Sequence, residues 1–145
     1  MDKPPQITAG AAVLQQPLRV LLVEDSGPLT ERITALVAEL SGVTLVAAVS
    51  TELEAIATLA TTPIDALILD LHLREGDGFG VLRYLRARQL ALFTIVFTSY
   101  DIPQYRRAAA SLGAAEYFHK SRDYDKLAPA LNRRVAAVSD ASTAR

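Results

Sequence analysis

Three carboxylates stand where two apolar runs stop. Asp70 follows Ala66-Leu67-Ile68-Leu69, and Glu24-Asp25 follows the run from Leu18 to Val23. If these runs are neighbouring strands of a parallel sheet, their carboxyl ends open onto one crevice, the place where open α/β sheets bind ligands. Carboxylates about 4 Å apart repel by about 4 kcal/mol at an effective dielectric of about 20, so such a cluster requires cations. Lys120, closing a third run from Ala115 to His119, supplies one. A few carboxylates, with water and phosphate completing the octahedron, suit Mg²⁺, and that points to phosphoryl chemistry. An aspartate that accepts a phosphoryl group needs a metal to neutralise charge, a lysine for the phosphoryl oxygens and a hydroxyl to hold another of them. Asp70 is the candidate nucleophile, Glu24 and Asp25 the candidate metal ligands, Thr98 at the end of Phe93–Phe97 the hydroxyl, and Lys120 the cation. Taken singly, each has a plainer reading as a helix cap, a turn residue or a solvated end. Their shared placement at strand ends favours a single crevice.

The elements that must position these residues follow from hydrophobic patterning. Continuous apolar runs without alternation mark strands covered on both faces. Five segments qualify: 18–23, 43–49, 66–69, 93–97 and 115–118. Helical spacing fills the gaps between them. Leu29, Ile33, Leu36, Val37 and Leu40 recur at three and four residues, with Pro28 suited to a first turn. A second stretch, 51–60, has Ser50 as its expected cap and places Leu53, Ile56, Ala57 and Ala60 on the inner side. A third turns Val81, Leu82 and Leu85 inward and leaves Arg83, Arg86 and Arg88 to solvent. A fourth, 104–112, is alanine-rich, and a fifth runs from about 123 to 138. Pro129 falls inside that fifth pattern, so the helix either bends there or starts late. Strands alternating with helices predict an α/β fold with a parallel sheet and helices on both sides.

At 145 residues the chain has room for one domain. It has no cysteine, which excludes disulfides, thiolate metal sites and cysteine nucleophiles, and fits a cytoplasmic setting. The formal net charge of −1 gives no global field for nucleic acid or an anionic membrane. No segment reaches the length of a membrane span. Residues 1–17, with Pro4, Pro5, Pro17 and Gly10, read as a flexible N-terminal extension, 18–138 as the folded domain and 139–145 as a flexible tail. Ile7 to Leu14 lacks the strong apolar block of a secretory segment. His72 and His119 are too few to build an imidazole metal site. Gly76, Gly78 and Gly80 lack the spacing of a nucleotide-binding loop and read as a turn leading into a helix.

The chain resembles the receiver domain of two-component response regulators. The matching pieces are Val-Leu-Leu-Val-Glu-Asp-Ser at 20–26, Ala-Leu-Ile-Leu-Asp-Leu at 66–71, Gly-Asp-Gly at 76–78, Ile-Val-Phe-Thr-Ser at 95–99 and Gly-Ala-Ala-Glu-Tyr-Phe-His-Lys-Ser at 113–121. The resemblance implies a flavodoxin-like (CheY-like) doubly wound fold: a five-stranded parallel sheet in the order 2-1-3-4-5 with five helices. It implies Mg²⁺ as cofactor, Asp70 as phosphoacceptor, Asp25 as direct metal ligand and Glu24 as the neighbouring acid acting through water. The metal would also take the backbone carbonyl of His72. Thr98 matches the switch hydroxyl, Tyr117 the switch aromatic and Lys120 the lysine of the pattern. His72 and Tyr100, two past Asp70 and Thr98, match positions that tune dephosphorylation. A sensor histidine kinase or histidine phosphotransfer protein is the implied donor. Output is expected through the face of the fourth helix, fifth strand and fifth helix, toward an unknown downstream protein.

Two departures stand out. The family's common Met-Pro after the acceptor is Leu73-Arg74 here, which predicts a more mobile loop, and its Lys-Pro pair is Lys120-Ser121. They sustain one alternative, a pseudo-receiver whose output ignores phosphate. An Mg²⁺-dependent phosphatase would want a second acid two residues after its nucleophile, where this chain has His72. The expectation is a stand-alone receiver, monomeric or weakly dimeric, that is not an enzyme beyond promoting its own phosphotransfer and dephosphorylation.

Overall fold

The computed structural model describes residues 16–143. Most of the expected N-terminal extension, and residues 144–145 of the expected tail, lie outside them. The elements run β1 (Leu18–Val23), α1 (Gly27–Ala38), β2 (Val43–Val49), α2 (Glu52–Thr61), β3 (Ala66–Leu69), α3 (Gly78–Ala87), β4 (Phe93–Thr98), α4 (Pro103–Ser111), β5 (Glu116–His119), a 3-10 turn (Tyr124–Lys126) and α5 (Leu127–Thr143). The sheet is parallel throughout, in the order β2-β1-β3-β4-β5.

Side-chain alternation along the central strands divides the interior into two layers. Val20, Leu22, Ile68, Ile95 and Phe97 meet Ile33 and Val37 of α1 and Leu127, Ala130 and Leu131 of α5. Leu21, Val23, Leu67, Leu69 and Val96 meet Ala55 and Leu59 of α2, Val81, Leu82 and Leu85 of α3, and Ala109 of α4. Strands buried on both faces have no polar side to show, which is why their sequences read as unbroken apolar runs. The outer strand β2 departs from that expectation. It alternates between covered and open positions, and Val46 is 37% exposed. An edge strand has a neighbour on one side only, and the pairing register slips beside Val46, with Val20 opposite Leu45 and Leu21 opposite Ala47.

Helix starts carry their own signals. Ser26 caps α1 by accepting the Leu29 N–H at 3.3 Å, and Pro28 lies in the first turn, where its missing donor is not needed. For α2 the cap is Thr51, not the expected Ser50; its hydroxyl accepts from Glu54 N at 3.1 Å. The inner face of α2 is also different from the expected one. Ala55 and Leu59 are buried, whereas Leu53 is 78% exposed and Ala57 and Ala60 face solvent. Both stripes have helical spacing, and the one that packs against the sheet is that of Ala55 and Leu59. Pro129 lies in the first turn of α5, which follows the 3-10 turn directly, so the helix starts late and no interior hydrogen bond is lost. That helix continues to Thr143, past the boundary expected at 138.

Candidate functional site

Strand register places the polar residues. Val23 of β1 pairs with Leu69 of β3, and Leu69 with Val96 of β4, so the residues just beyond reach one rim together. Backbone bonds extend the ladder there: Asp70 N donates to Val23 O at 3.0 Å, Glu24 N to Val49 O at 2.9 Å and Lys120 N to Thr98 O at 3.0 Å. Glu24, Asp25, Asp70, Thr98 and Lys120 are thereby delivered from four strands to the carboxyl edge of the sheet.

Glu24 and Asp70 are each only 4% exposed, and Asp25 is half-buried. One carboxylate oxygen from each of the three acids can lie within 4.8 Å of the others. Lys120 Nζ bonds Asp70 Oδ2 at 2.7 Å and Glu24 Oε1 at 2.9 Å. The remaining acceptors are partly satisfied by backbone, since Asp70 Oδ1 accepts from His72 N at 3.2 Å and Glu24 Oε2 from Ser26 N at 3.0 Å. Burial pushes the Glu24 carboxyl above the usual carboxylate range and outweighs the opposing pull of Lys120. Burial also works against the Lys120 charge, but the hydrogen bonds and charges of Asp70 and Glu24 together win and raise its pKa. The lysine is therefore firmly cationic. Three ionised carboxylates against one ammonium leave two negative charges, the deficit that one divalent cation removes. The donors are all hard oxygens, the set that Mg²⁺ prefers.

The other expected residues occupy the same rim. Thr98 is fully buried, and its hydroxyl has no hydrogen-bond partner. An orphaned buried hydroxyl costs about 1–3 kcal/mol, so a group that satisfies it on binding gains that much. Tyr117, half-buried on β5, donates its hydroxyl to Tyr100 O at 2.6 Å beneath the Arg106 guanidinium, which lies 4.4 Å from its ring centre. Burial raises the Tyr117 phenol pKa. Tyr100 stands at the crevice edge with its ring 5.0 Å from that of His72.

Both sequence departures are accommodated. Leu73 is buried, Arg74 Nη2 reaches Ser50 Oγ at 3.4 Å, and two isolated bridges, Thr51 with Glu75 and His72 with Asp77, hold the loop where mobility was expected. The turn after Lys120 closes on His119: Ser121 N lies 3.2 Å from His119 Nδ1, and Asp123 N donates to His119 O at 2.8 Å. All described peptide bonds are trans. Sequence reasoning did not single out Glu52, which accepts the Asp77 N–H at 3.0 Å, because it acts through a contact remote in sequence; Arg106, expected on a solvated helix face, instead covers the Tyr117 ring. Among the described residues, no helix is long and apolar enough to cross a membrane.

Comparison with known proteins gives a consistent result. The family model of the response regulator receiver domain matches residues 20–132. The sensory transduction protein LytT of Enterococcus faecalis is 28% identical over 124 residues, covering 86% of this chain and 50% of that protein. A putative NtrX-like response regulator of Rickettsia bellii is 32% identical over 116 residues, covering 79% of this chain and 24% of that protein. The chain thus spans half or less of these relatives. Among solved structures, the signal receiver domain of a putative Luxo repressor protein from Vibrio parahaemolyticus superposes with a TM-score of 0.78 at 23% identity, over 90% of this chain and 98% of that one. A two-component response regulator of the LuxR family from Aurantimonas gives 0.74 at 28% identity, over 84% and 87%.

Proposed function

The chain belongs to the response regulator receiver domain family, and from that premise we propose that it is an Mg²⁺-dependent phosphoacceptor that takes its phosphoryl group on Asp70. The observation that carries this reading is the placement of Lys120 Nζ between Asp70 and Glu24, inside a trio of acids with two charges still to neutralise. Glu24, Asp25 and Asp70 would hold the ion with the His72 backbone carbonyl. When bound, it would neutralise charge on the transferring phosphoryl oxygens.

The donor is a phosphohistidine on a sensor kinase or phosphotransfer protein. An Asp70 oxygen attacks phosphorus in line, the P–N bond breaks, and the electron pair leaves with the imidazole, which takes a proton from water. Lys120 already bonds Asp70 Oδ2 and is positioned to follow the charge onto the phosphoryl oxygens. Resetting requires water to attack the same phosphorus, releasing inorganic phosphate and returning the carboxylate. Incubation with Mg²⁺ and acetyl phosphate, read by intact mass, tests the assignment.

The approach of that water is flanked by His72 and Tyr100, whose rings lie in tilted contact. A bulky ring there obstructs an in-line path that an acid would leave open and polarise. Tyr100→Glu is expected to shorten the lifetime of the phosphorylated chain several-fold, measured by its decay after donor removal; equal or slower decay contradicts the role.

Output follows from the Thr98 hydroxyl. A nearly complete population shift requires about 5.5 kcal/mol of differential binding. A charge-assisted hydrogen bond contributes about 1.5–3 kcal/mol, so Thr98 and Lys120 together reach that range and neither does alone. The Thr98 bond would reposition β4 against Tyr117, on the face made by α4, β5 and α5, where a downstream protein docks. Thr98→Val should lose some phosphoryl uptake and far more of the phosphorylation-dependent partner binding. Equal losses in both assays would refute the coupling.

A further inference from the structure

The three glycines around the start of α3 have separate structural causes. Gly76 adopts a positive φ of 80°. A Cβ on Gly78 would strike the backbone of Asp70 and Leu71, and one on Gly80 would strike the Glu52 carboxylate. Gly76 also lies against the Glu52 side chain. Two of the three positions therefore form a seat for one acid that comes from α2.

Glu52 uses that seat to join two elements. Its Oε1 accepts the Asp77 N–H at 3.0 Å, and its own backbone N donates to Glu75 O at 3.1 Å. The carboxylate lies against the first turn of α3, the end of a helix dipole that favours negative charge. Asp77, which Glu52 holds, is bridged to His72, and Gly78 N donates to Leu71 O at 2.9 Å. The segment fixed in this way begins immediately after Asp70 and contains His72. Ordinary helix capping does not require Glu52, because Asp77 caps α3 itself by accepting the Gly80 N–H at 2.9 Å.

We infer that Glu52 is a positioning residue for the acceptor loop, clamping Asp77 so that the backbone carbonyl of His72 is presented to the divalent cation. The inference rests on the reading of the acidic trio as an Mg²⁺ pocket. No hydrogen bond or ion pair joins Glu52 to Glu24, Asp25, Asp70 or Lys120 among the described residues, so its influence on the ion is indirect.

Mg²⁺ titration of the full chain by calorimetry, beside hydrogen exchange of residues 71–77 in metal-free buffer, tests this. Glu52→Ala should weaken Mg²⁺ binding by about tenfold, the lower end of what outer-shell partners of metal sites contribute, and should speed exchange at Asp77. Glu52→Gln keeps the Oε1 acceptor and should stay much nearer the parent. Gly80→Ala supplies an independent arm: it improves the intrinsic helix propensity of α3 while its methyl displaces the far end of Glu52. It should weaken Mg²⁺ binding without lowering the unfolding midpoint, and it should add little in the Glu52→Ala background. A Glu52→Ala chain that binds Mg²⁺ as the parent does, or a Gly80→Ala chain with unaltered binding and exchange, overturns the clamp. A parent that takes up no Mg²⁺ instead defeats the reading of the pocket, and the exchange data then separate the two failures.

Discussion

Asp70→Asn is expected to abolish phosphoryl uptake altogether. With Mg²⁺ and either acetyl phosphate or a phosphohistidine donor, the parent should gain one phosphoryl group by intact mass and the variant none. The amide lacks the negative oxygen that attacks phosphorus, while Lys120 and the His72 amide, the two donors on the Asp70 oxygens, stay in place. The fold should survive, because Asn retains an acceptor for His72 N and removes one of three carboxylates crowded on the rim. Its unfolding midpoint in metal-free buffer should not fall below the parent's, which separates lost chemistry from lost structure. Uptake by the variant would move the acceptor elsewhere. No uptake by the parent from either donor would favour a module whose output ignores phosphate.

The site was legible in the sequence for a specific physical reason. In a parallel sheet with helices on both faces, strands read as apolar runs, so the polar residue that ends each run marks the rim. Asp70, Glu24 and Lys120 could be placed together without knowing one contact. What the runs do not encode is lateral position. Val43–Val49 is as apolar as Leu18–Val23, yet one is an edge strand and the other central. The stripe of Leu53, Ile56, Ala57 and Ala60 is as regular as that of Ala55 and Leu59, and only tertiary packing, which puts Ala55 and Leu59 in the interior, tells them apart. The same holds for Tyr117. Its residue type marks it as a switch aromatic by resemblance, but its partner is a backbone carbonyl at Tyr100, which no side-chain pattern announces.

Replacing Lys120 with methionine should show how evenly the crevice is balanced between protein and ion. The substitution keeps the apolar stem and removes the ammonium, leaving Glu24 and Asp70 buried without their counter-charge. Removing one partner of a buried ion pair costs about 3–5 kcal/mol. The upper part of that range is out of reach here, because Asp25 and the open rim admit water. A loss of about 3 kcal/mol in metal-free buffer at neutral pH is the expected result. Two titrations should recover it. Glu24 already has a raised folded-state pKa, and losing the lysine raises it further. A carboxyl raised in the folded state binds its proton more readily there than in the unfolded chain, so stability rises as the pH falls through that raised value toward the ordinary carboxylate range near about 4. The variant should therefore approach the parent as the solution is acidified, the reverse of what a broken surface pair would do. Mg²⁺ should restore it at neutral pH as well, because the ion takes over the neutralising role without a competing ammonium. At about a hundred times its dissociation constant a ligand stabilises by about 2.7 kcal/mol, close to the whole deficit. Chemical unfolding at several pH values, with and without Mg²⁺, reads both effects. A variant as stable as the parent in metal-free neutral buffer would mean that Lys120 neutralises nothing there, and the charge argument for the divalent site would go with it.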